Sequence, residues 1–165
     1  MVDVNSTIDA LIDCGRSLVT QGWVLGRGAI SAHADDVVYM TARGAALGLL
    51  TVADFVPVEL ATARALTDGR PSSELPMHLA AYGVNPDTRA VIHSHPPHAI
   101  ACGLVGLALP ALTPDFCVYV GDEAPLLPYL PPGSQTLRGR GRGAGLGQCA
   151  AAAKPWYAGR WSYGG

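Results

Sequence analysis

Apolar residues recur with helical spacing near the beginning of the chain. The stripe consists of Ile8, Leu11, Ile12, Leu18 and Val19. This spacing is typical of an amphipathic helix. Ser6, with Asp9 three positions later, is a capping signature, and Gly22 is a stop signal. The pattern therefore predicts a helix over residues 6–21.

Beyond this helix, short apolar runs alternate with glycine-rich turns and further helical segments. Strand-like runs occupy residues 37–41, 56–60, 90–94 and 116–120. Helical patterns occupy a capped turn at 50–55, residues 74–83 and a segment beginning near residue 96. Because strands and helices interleave, the chain is predicted to form one layered α/β domain.

Composition and charge exclude several classes of protein. The 165 residues are 49% hydrophobic, which is enough for a core, and the net charge is −2. So small a charge gives no electrostatic reason to expect a nucleic-acid partner. The N-terminus is polar and acidic, unlike a signal peptide. The longest apolar run, residues 99–112, is broken by glycine and proline and is too short to span a membrane.

The cysteines are widely spaced and contain no C-x-x-C pair. They are Cys14, Cys102, Cys117 and Cys149. This spacing favours neither a zinc finger nor a disulfide framework. We therefore expect buried thiols in a reducing cytoplasm.

The last part of the chain differs in composition from the rest. All acidic residues lie at or before Glu123, whereas residues 134–165 contain five basic residues and eight of the 20 glycines. The segment has no helical or strand period. A disordered tail, an RG-type nucleic-acid segment and a change of reading frame are the alternatives. We divide the chain into a domain at 1–137 and an atypical basic, glycine-rich tail at 138–165.

Three histidines in the segment RAVIHSHPPHAIACG are the strongest candidates for chemistry. Residues i and i+2 of a strand point to the same face, so His93 and His95 can present two imidazoles to one metal ion. The alternative is a pair that only hydrogen-bonds at a strand end. His98 lies in the following Pro-Pro turn, and we interpret it as substrate-facing or structural rather than as a ligand.

A second candidate site lies at the beginning of the helix predicted at 74–83. Ser72 and Ser73 are capping-type residues, and a helix N-terminus with free N–H groups can bind an anion. By itself, the Ser-Ser-Glu string is explained by capping, with Glu74 favoured by the helix dipole. His78 lies on the same helical face as Glu74, and we interpret it as a packed or supporting histidine rather than as a ligand.

Two glycine-bearing turns, GRGAIS and TARGAA, could bring backbone amides close to an anion. Each signal is weak alone, because glycine turns are common. The string HSHP also occurs in JAMM metalloproteases, in which a serine and then an aspartate follow at fixed spacing. Here Gly103 and Gly106 occupy those positions, so the third ligand of that family is absent.

Five strings, in order along the chain, resemble those of the class II aldolase/adducin family. They are GAIS (28–31), TARG (41–44), RPSSELPMHLAAY (70–82), AVIHSHPPHA (90–99) and PYLPPGS (128–134). The resemblance covers roughly residues 6–137. It implies a three-layer α/β sandwich with a central, mostly antiparallel sheet, truncated at the C-terminus.

The resemblance also implies a role for each matching residue. His93 and His95 would bind a divalent metal, Zn²⁺ first, with Mn²⁺, Co²⁺ or Fe²⁺ as alternatives. Glu74 would be the general acid/base beside the metal. A phosphate pocket would be lined by Gly28, Gly44, Ser72 and Ser73. A metal that stabilises an enediolate and a carboxylate that moves a proton agree with that chemistry.

The implied function is that of a metal-dependent aldolase-type lyase that cleaves a small sugar phosphate through an enediolate. The alternatives are a metal-dependent hydroxy-acid decarboxylase of the same family, a non-catalytic adducin-like domain and an inactive remnant. The family also implies a cytoplasmic homotetramer with a small-molecule substrate and no nucleic-acid or membrane partner. A tyrosine from a neighbouring subunit would complete the site, with Tyr119 and Tyr129 as candidates.

Two positions depart from the family pattern in the phosphate site. Ala29 stands where the family has asparagine, which removes an amide donor. Arg43 adds a guanidinium suited to a carboxylate or a phosphate. We interpret the pair as a shift in anion preference toward a carboxylate-bearing substrate, with a surface arginine as the alternative.

The resemblance implies a third metal histidine in an Asn-His-Gly or His-His-Gly segment after the next helix, but no histidine follows His98. The codons of Lys154-Pro155-Trp156-Tyr157, shifted by one base, can encode Asn-His-Gly. We therefore hypothesise that the chain is out of frame with its family from about residue 135. A chain with two ligands is expected to bind metal weakly and to have little lyase activity.

Overall fold

The central sheet consists of four antiparallel strands. The computed structural model describes residues 3–85, 87–124 and 126. The strands of this sheet are β1 (Gly28–Ala34), β2 (Val37–Thr41), β3 (Phe55–Glu59) and β4 (Ala90–Ser94), and their order is β3–β2–β1–β4. The helices are α1 (Val4–Thr20), α2 (Leu75–Val84), α3 (Pro97–Leu104) and α4 (Pro114–Tyr119). Two short strands, β5 (Leu109–Pro110) and β6 (Glu123–Ala124), pair separately.

The two faces of the sheet are covered by different helices. On one face, Ile30 and Ala32 of β1 pack against Ile8 and Leu11 of α1. On the other face, the apolar cluster contains Tyr82 of α2 and these strand residues: Ala29, Val38, Met40, Val56 and Val58. Side chains alternate between the faces of a strand, so each helix covers one set. The predicted α/β class with an antiparallel central sheet is confirmed.

The helix predicted at 6–21 begins earlier than its capping signature indicated. Helix α1 begins at Val4 and is capped by Asp3, whose carboxylate accepts a hydrogen bond from the Asn5 N–H. Asp3 is a good cap because it supplies an oxygen to an N–H group that has no partner within the helix. The capped turn predicted at 50–55 is confirmed as a short 3₁₀ helix at Val52–Asp54 with a capping box.

Two local predictions are wrong. The run FCVYV, predicted as a strand, lies largely within helix α4, because Thr113 caps the helix, accepting from the Phe116 N–H, and Pro114 occupies the first helical position. The string GAIS, predicted as a glycine turn, is the beginning of strand β1. Its pairing with β2 and β4 overrides the local turn signal.

Three of the cysteines lie within the described residues, and all three are free. Cys14 and Cys102 are half-buried and Cys117 is exposed, so the expectation of buried thiols is met only in part at the first two and is wrong at Cys117. Burial raises the pKa of the Cys14 thiol. No helix among the described residues is long and apolar enough to cross a membrane. Cys149, Tyr129 and the tail at 138–165 lie outside the described residues.

Candidate metal centre

The two histidines of the H-x-H motif meet at the end of strand β4. His93 is the fourth residue of that strand, and His95 is the first residue beyond it. Their Nε2 atoms lie 3.1 Å apart, with one ring donating to the other. The rings stand edge to face, with centroids 4.7 Å apart. Two imidazole nitrogens thus converge on one point, which suits a shared divalent metal ion.

The electrostatic surroundings of His93 favour a neutral ring. Burial lowers its pKa, and the neighbouring His95 lowers it further, while the Glu74 carboxylate acts in the opposite direction. The net pKa is below the ordinary value. A neutral imidazole has the free lone pair that a metal ligand needs, so the site favours the ligand form of His93.

Glu74 stands immediately before helix α2 and is half-buried. Its backbone N–H donates to the Ser72 Oγ at 3.3 Å, as expected for a capping-type serine. The Glu74 side chain makes no capping hydrogen bond. The carboxylate is therefore not used in starting the helix, and its charge acts on His93.

Strand β1 supports the backbone beneath the two histidines. Ala29 pairs with His93 in register, and Gly28 pairs with Ser94. A side chain at Gly28 would collide with the His93 carbonyl oxygen and with Leu47. Gly28 is therefore required for the close approach of β1 to β4, and its predicted contact with an anion stays a prediction. Ala29 is fully buried.

The TARG turn and the segment before α2 are brought together. The Arg43 N–H donates to the Arg70 carbonyl at 2.9 Å, and the Ser72 N–H donates to the Thr41 carbonyl at 2.9 Å. Gly44 has φ +85°, a conformation that favours glycine. Arg43, Gly44 and Ser73 are exposed, and Ser72 is half-buried. The structure thus places the predicted anion-site residues 43, 44 and 72 around one junction.

A buried polar network beneath α2 was not predicted from the sequence. Ser31 of β1 lies 2.7 Å from the Nδ1 of His78 and 2.7 Å from the hydroxyl of Tyr82. Ser31 and His78 are fully buried. Burial, with a smaller effect from His93, lowers the pKa of His78 to about 3, so this ring is neutral. Burial also raises the pKa of Tyr82 to about 12.

An apolar groove of about 650 Å³ opens beside His95. Arg27, the residue before Gly28, lies in its wall together with Leu25 and Ile100. Arg27 was not singled out from the sequence, although it belongs to the GRGAIS string. It places a positive charge in the wall of the groove that His95 also lines. His98 is exposed in the first turn of α3.

Within residues 3–124 that the structure describes, no third His, Cys, Asp or Glu completes a metal-binding group with the histidine pair. The donor chemistry nevertheless fits a divalent metal, because two imidazole nitrogens converge and neither is committed to the backbone. Pro155, where the frame hypothesis places a histidine, lies outside the described residues.

An antiparallel sheet between helices, with an H-x-H pair at one strand end and a glutamate at the start of the adjacent helix, defines an α/β domain with a candidate metal centre. The family model described as class II aldolase and adducin N-terminal domain matches residues 9–155. The chain therefore belongs to the class II aldolase/adducin family, which confirms the resemblance.

Individual relatives include two kinds of enzyme. The chain is 36% identical to the 3-oxo-tetronate 4-phosphate decarboxylase of Cupriavidus necator, over 76% of this chain and 60% of that protein. It is 31% identical to the L-fuculose phosphate aldolase of Methanococcus vannielii, over 73% of this chain and 65% of that protein. The chain thus spans less than two thirds of these relatives. The YgbL structure from Klebsiella pneumoniae matches with a TM-score of 0.75 and 29% identity, over 87% of this chain and 74% of that one.

Proposed function

We propose that this chain is a metal-dependent lyase of the class II aldolase type that cleaves a small sugar phosphate through an enediolate. The observation that carries the proposal is the convergence of the His93 and His95 Nε2 atoms. The Glu74 carboxylate supports it, because its charge acts on His93 while its oxygens are free of capping bonds.

The residues of this site can perform the two operations that such a cleavage requires. A bound divalent ion, with Zn²⁺ as the first choice, supplies Lewis-acid stabilisation of an enediolate. His93 and His95 would hold that ion, since their Nε2 atoms converge on one point. Glu74 accepts or returns the proton, which is general acid–base catalysis.

The named substrates of the two relatives suggest the substrate class. Retro-aldol cleavage of a 2-ketose 1-phosphate between C3 and C4 leaves the enediolate of a three-carbon keto phosphate. Loss of CO₂ from a 2-hydroxy-3-oxo acid carrying a 4-phosphate leaves the same enediolate. One site that stabilises this fragment can therefore serve either reaction, and the group that departs, aldehyde or CO₂, distinguishes them.

Decarboxylation is the second candidate reaction. The similarity to the Cupriavidus decarboxylase favours it, as do the replacement of an amide donor by Ala29 and the presence of Arg43. Arg27 adds a second guanidinium in the groove that His95 also lines. A guanidinium suits a carboxylate as well as a phosphate.

The phosphate is proposed to lie between the GRGAIS and TARG segments and the beginning of α2. Gly28, Gly44, Ser72 and Ser73 form its pocket, and Arg43 contributes charge. The Arg43 and Ser72 N–H groups are already bonded to carbonyls, so the phosphate would be bound by other donors there, among them the Arg43 guanidinium, the Gly44 N–H and the Ser73 hydroxyl. The Arg43 guanidinium is proposed to supply the charge of this pocket.

The metal site is the direct test of the proposal. The full chain is expected to bind Co²⁺ or Zn²⁺, with His93→Ala and His95→Ala each abolishing the bound metal and His98→Ala serving as the matched control. Elemental analysis and Co²⁺ absorption spectra measure the content. Equal metal in the wild type and in both variants would contradict the assignment and favour a non-catalytic, adducin-like domain.

The third ligand is proposed to come from the C-terminal segment. Two ligands are fewer than a divalent metal normally uses, so affinity and turnover of the chain as written are expected to be low. The triple variant Lys154→Asn/Pro155→His/Trp156→Gly should bind Co²⁺ more tightly than the wild type. Equal affinity would contradict this hypothesis, as would a CCG or CCC codon at Pro155.

A substrate comparison separates the two reactions. An L-fuculose 1-phosphate-type ketose phosphate and a 3-oxo-tetronate 4-phosphate are incubated with metal-loaded protein, and release of the keto phosphate is followed. Turnover of the ketose phosphate alone supports the aldolase, and turnover of the oxo acid alone supports the decarboxylase. We also propose a cytoplasmic homotetramer, which sedimentation and fractionation can test.

A further inference from the structure

The side chain of His78 is fully buried, yet only one of its nitrogens has a partner. Its Nδ1 lies 2.7 Å from the Ser31 hydroxyl. Its Nε2 is buried without a hydrogen-bond partner in the part of the chain that the structure describes. A buried polar atom left unpaired costs about 1–3 kcal/mol, so an unpaired nitrogen in a fully buried ring requires an explanation.

The sheet register places His78 on the same side as the metal candidate. Ser31 pairs with Val91, and His93 lies two positions further along β4. Residues two apart share a face, so His93 projects from the face that Ser31, and therefore His78, occupies. The two histidines also interact electrostatically, since His93 contributes to lowering the pKa of His78.

The other end of the network is firmly fixed. Ser31 also bonds to the Tyr82 hydroxyl at 2.7 Å, and Tyr82 itself packs against His33 with ring centroids 5.1 Å apart. His78 and Tyr82 are one helical turn apart on α2. The His78 ring is therefore fixed through its Nδ1 by Ser31 of β1, while its Nε2 bonds to nothing among the described residues.

The metal ligand His93 needs a partner of the kind that His78 offers. Its Nε2 is directed at His95, so a metal bound there leaves the proton on Nδ1. A metal-ligating histidine almost always donates this second N–H to an acceptor that fixes the ring. Within the described residues, no side-chain hydrogen bond of His93 other than that to His95 is present.

We propose that His78 is a positioning residue for His93, whose Nδ1–H donates to the His78 Nε2, directly or through one water, when the metal site is loaded. This inference rests on the proposed metal site. In that state the His78 Nδ1–H donates to Ser31. The network of Ser31, His78 and Tyr82 then fixes the ligand ring against the sheet.

Two substitutions separate this role from packing. In His78→Asn, the amide lies near the position of Nδ1 and can still bond to Ser31, but nothing replaces Nε2. In His78→Gln, the amide oxygen can reach the position of Nε2. The Asn variant is expected to bind Co²⁺ about 10–100-fold more weakly than the wild type, the usual cost of losing such a partner, and the Gln variant to stay much closer to the wild type.

The matched control is His98→Asn, since His98 is an exposed histidine of α3 that lies outside the network of Ser31, His78 and Tyr82. It should leave Co²⁺ affinity unchanged. Thermal unfolding of all variants reports folding. If His78→Asn does not fold, Ser31→Ala is used instead. This variant removes the hydrogen bond to the His78 ring while leaving the ring in the protein, and it should also weaken Co²⁺ binding. Equal affinity in the folded variants and the wild type would overturn the proposal while leaving the metal site intact.

Ring nitrogen shifts of the histidines provide a readout that does not depend on metal. In the metal-free chain, His78→Asn should change the His93 shifts and leave those of His98 unchanged. With Zn²⁺ bound, wild-type His78 should carry its proton on Nδ1. If the wild type binds no metal, the proposed function fails, and the metal-free spectra still decide this inference. Unchanged His93 shifts would overturn it.

Discussion

The two faces of the sheet are built from the same strands, and they differ in chemistry. Toward α1, β1 contributes Ile30 and Ala32 to an apolar cluster. Toward α2, the same strand contributes Ser31, which begins a polar network that leads toward His93. Both faces bury apolar clusters, but only the α2 face also keeps buried polar groups, and these lie on the side of the candidate metal centre. The alternation along β1 thus places this polar network on one face of the sheet.

The largest effect is expected from Glu74→Gln, which replaces the carboxylate at the beginning of α2 by an amide of nearly the same shape. An amide cannot transfer the proton, so turnover of the accepted substrate should fall by about 10²–10⁴-fold. Co²⁺ affinity and thermal stability should change little. Steady-state rates of the metal-loaded chain measure the effect, with Glu123→Gln as an exposed control. Unchanged turnover would leave Glu74 as a residue that only begins a helix.

The next effect concerns the α1 face of the sheet. Ile30 is fully buried, so Ile30→Ala should lower the free energy of unfolding by about 2–5 kcal/mol. Co²⁺ affinity of the folded fraction should be unchanged, because this face does not contact the histidine pair. Denaturant unfolding measures the loss.

Ile92 provides the matched control, since it pairs with Ile30 across the two strands but is 48% exposed. Ile92→Ala should cost about 1 kcal/mol or less. Similar losses at the two positions would contradict the assignment of the core to the α1 face beneath β1.

The sequence predicts the parts of this arrangement that have local signals. Strand β4 has the predicted bounds, and α2 lies within one residue of its prediction, because alternation and capping residues mark both. The meeting of His93 and His95 followed from strand geometry, whereas their assignment as metal ligands came from the family resemblance and stays a prediction. Helix α4 was predicted as a strand because a short apolar run fits either period, although Thr113 and Pro114 marked a helix start.

The buried network had no local signal. Ser31 lies 47 positions from His78 and 51 from Tyr82, so only the packing of α2 on β1 brings them together. Likewise, Gly28 gave a turn signal in the sequence, whereas its structural requirement comes from the His93 carbonyl on another strand. Contacts between distant segments depend on the tertiary fold and cannot be deduced from spacing.

A smaller effect is expected from Gly28→Ala, at the first residue of β1, the strand that contributes side chains to both faces. The added carbon would press on the His93 carbonyl and on Leu47. Such overpacking typically costs about 1–3 kcal/mol, and movement of β4 should also weaken Co²⁺ binding. Gly83→Ala is the control, because nothing lies near its added carbon and alanine favours a helix. Wild-type stability and affinity in Gly28→Ala would contradict the close approach of β1 and β4.

The smallest effect is a decrease in the free energy of unfolding at low pH, caused by the buried His78 on the α2 face of the sheet. The pKa of His78 is about 3 in the folded chain and near 6.5 when unfolded. Below pH 6.5 the unfolded chain therefore binds a proton that the folded chain does not, so stability is present above pH 6.5 and is lost as pH falls toward 3.

Between pH 7.5 and 5.5 the loss from His78 alone should be about 1 kcal/mol. His93 contributes in the same direction, since its pKa is also lowered, but it is present in both the wild type and His78→Gln. Ser31 and Tyr82, which face the His78 ring, stay neutral throughout this range. The difference between the two proteins in denaturant unfolding therefore isolates His78. An equal loss of unfolding free energy in the two proteins would mean that the His78 ring becomes charged in the folded chain. The surroundings of His78 would then be more hydrated than the burial of Ser31 and His78 indicates.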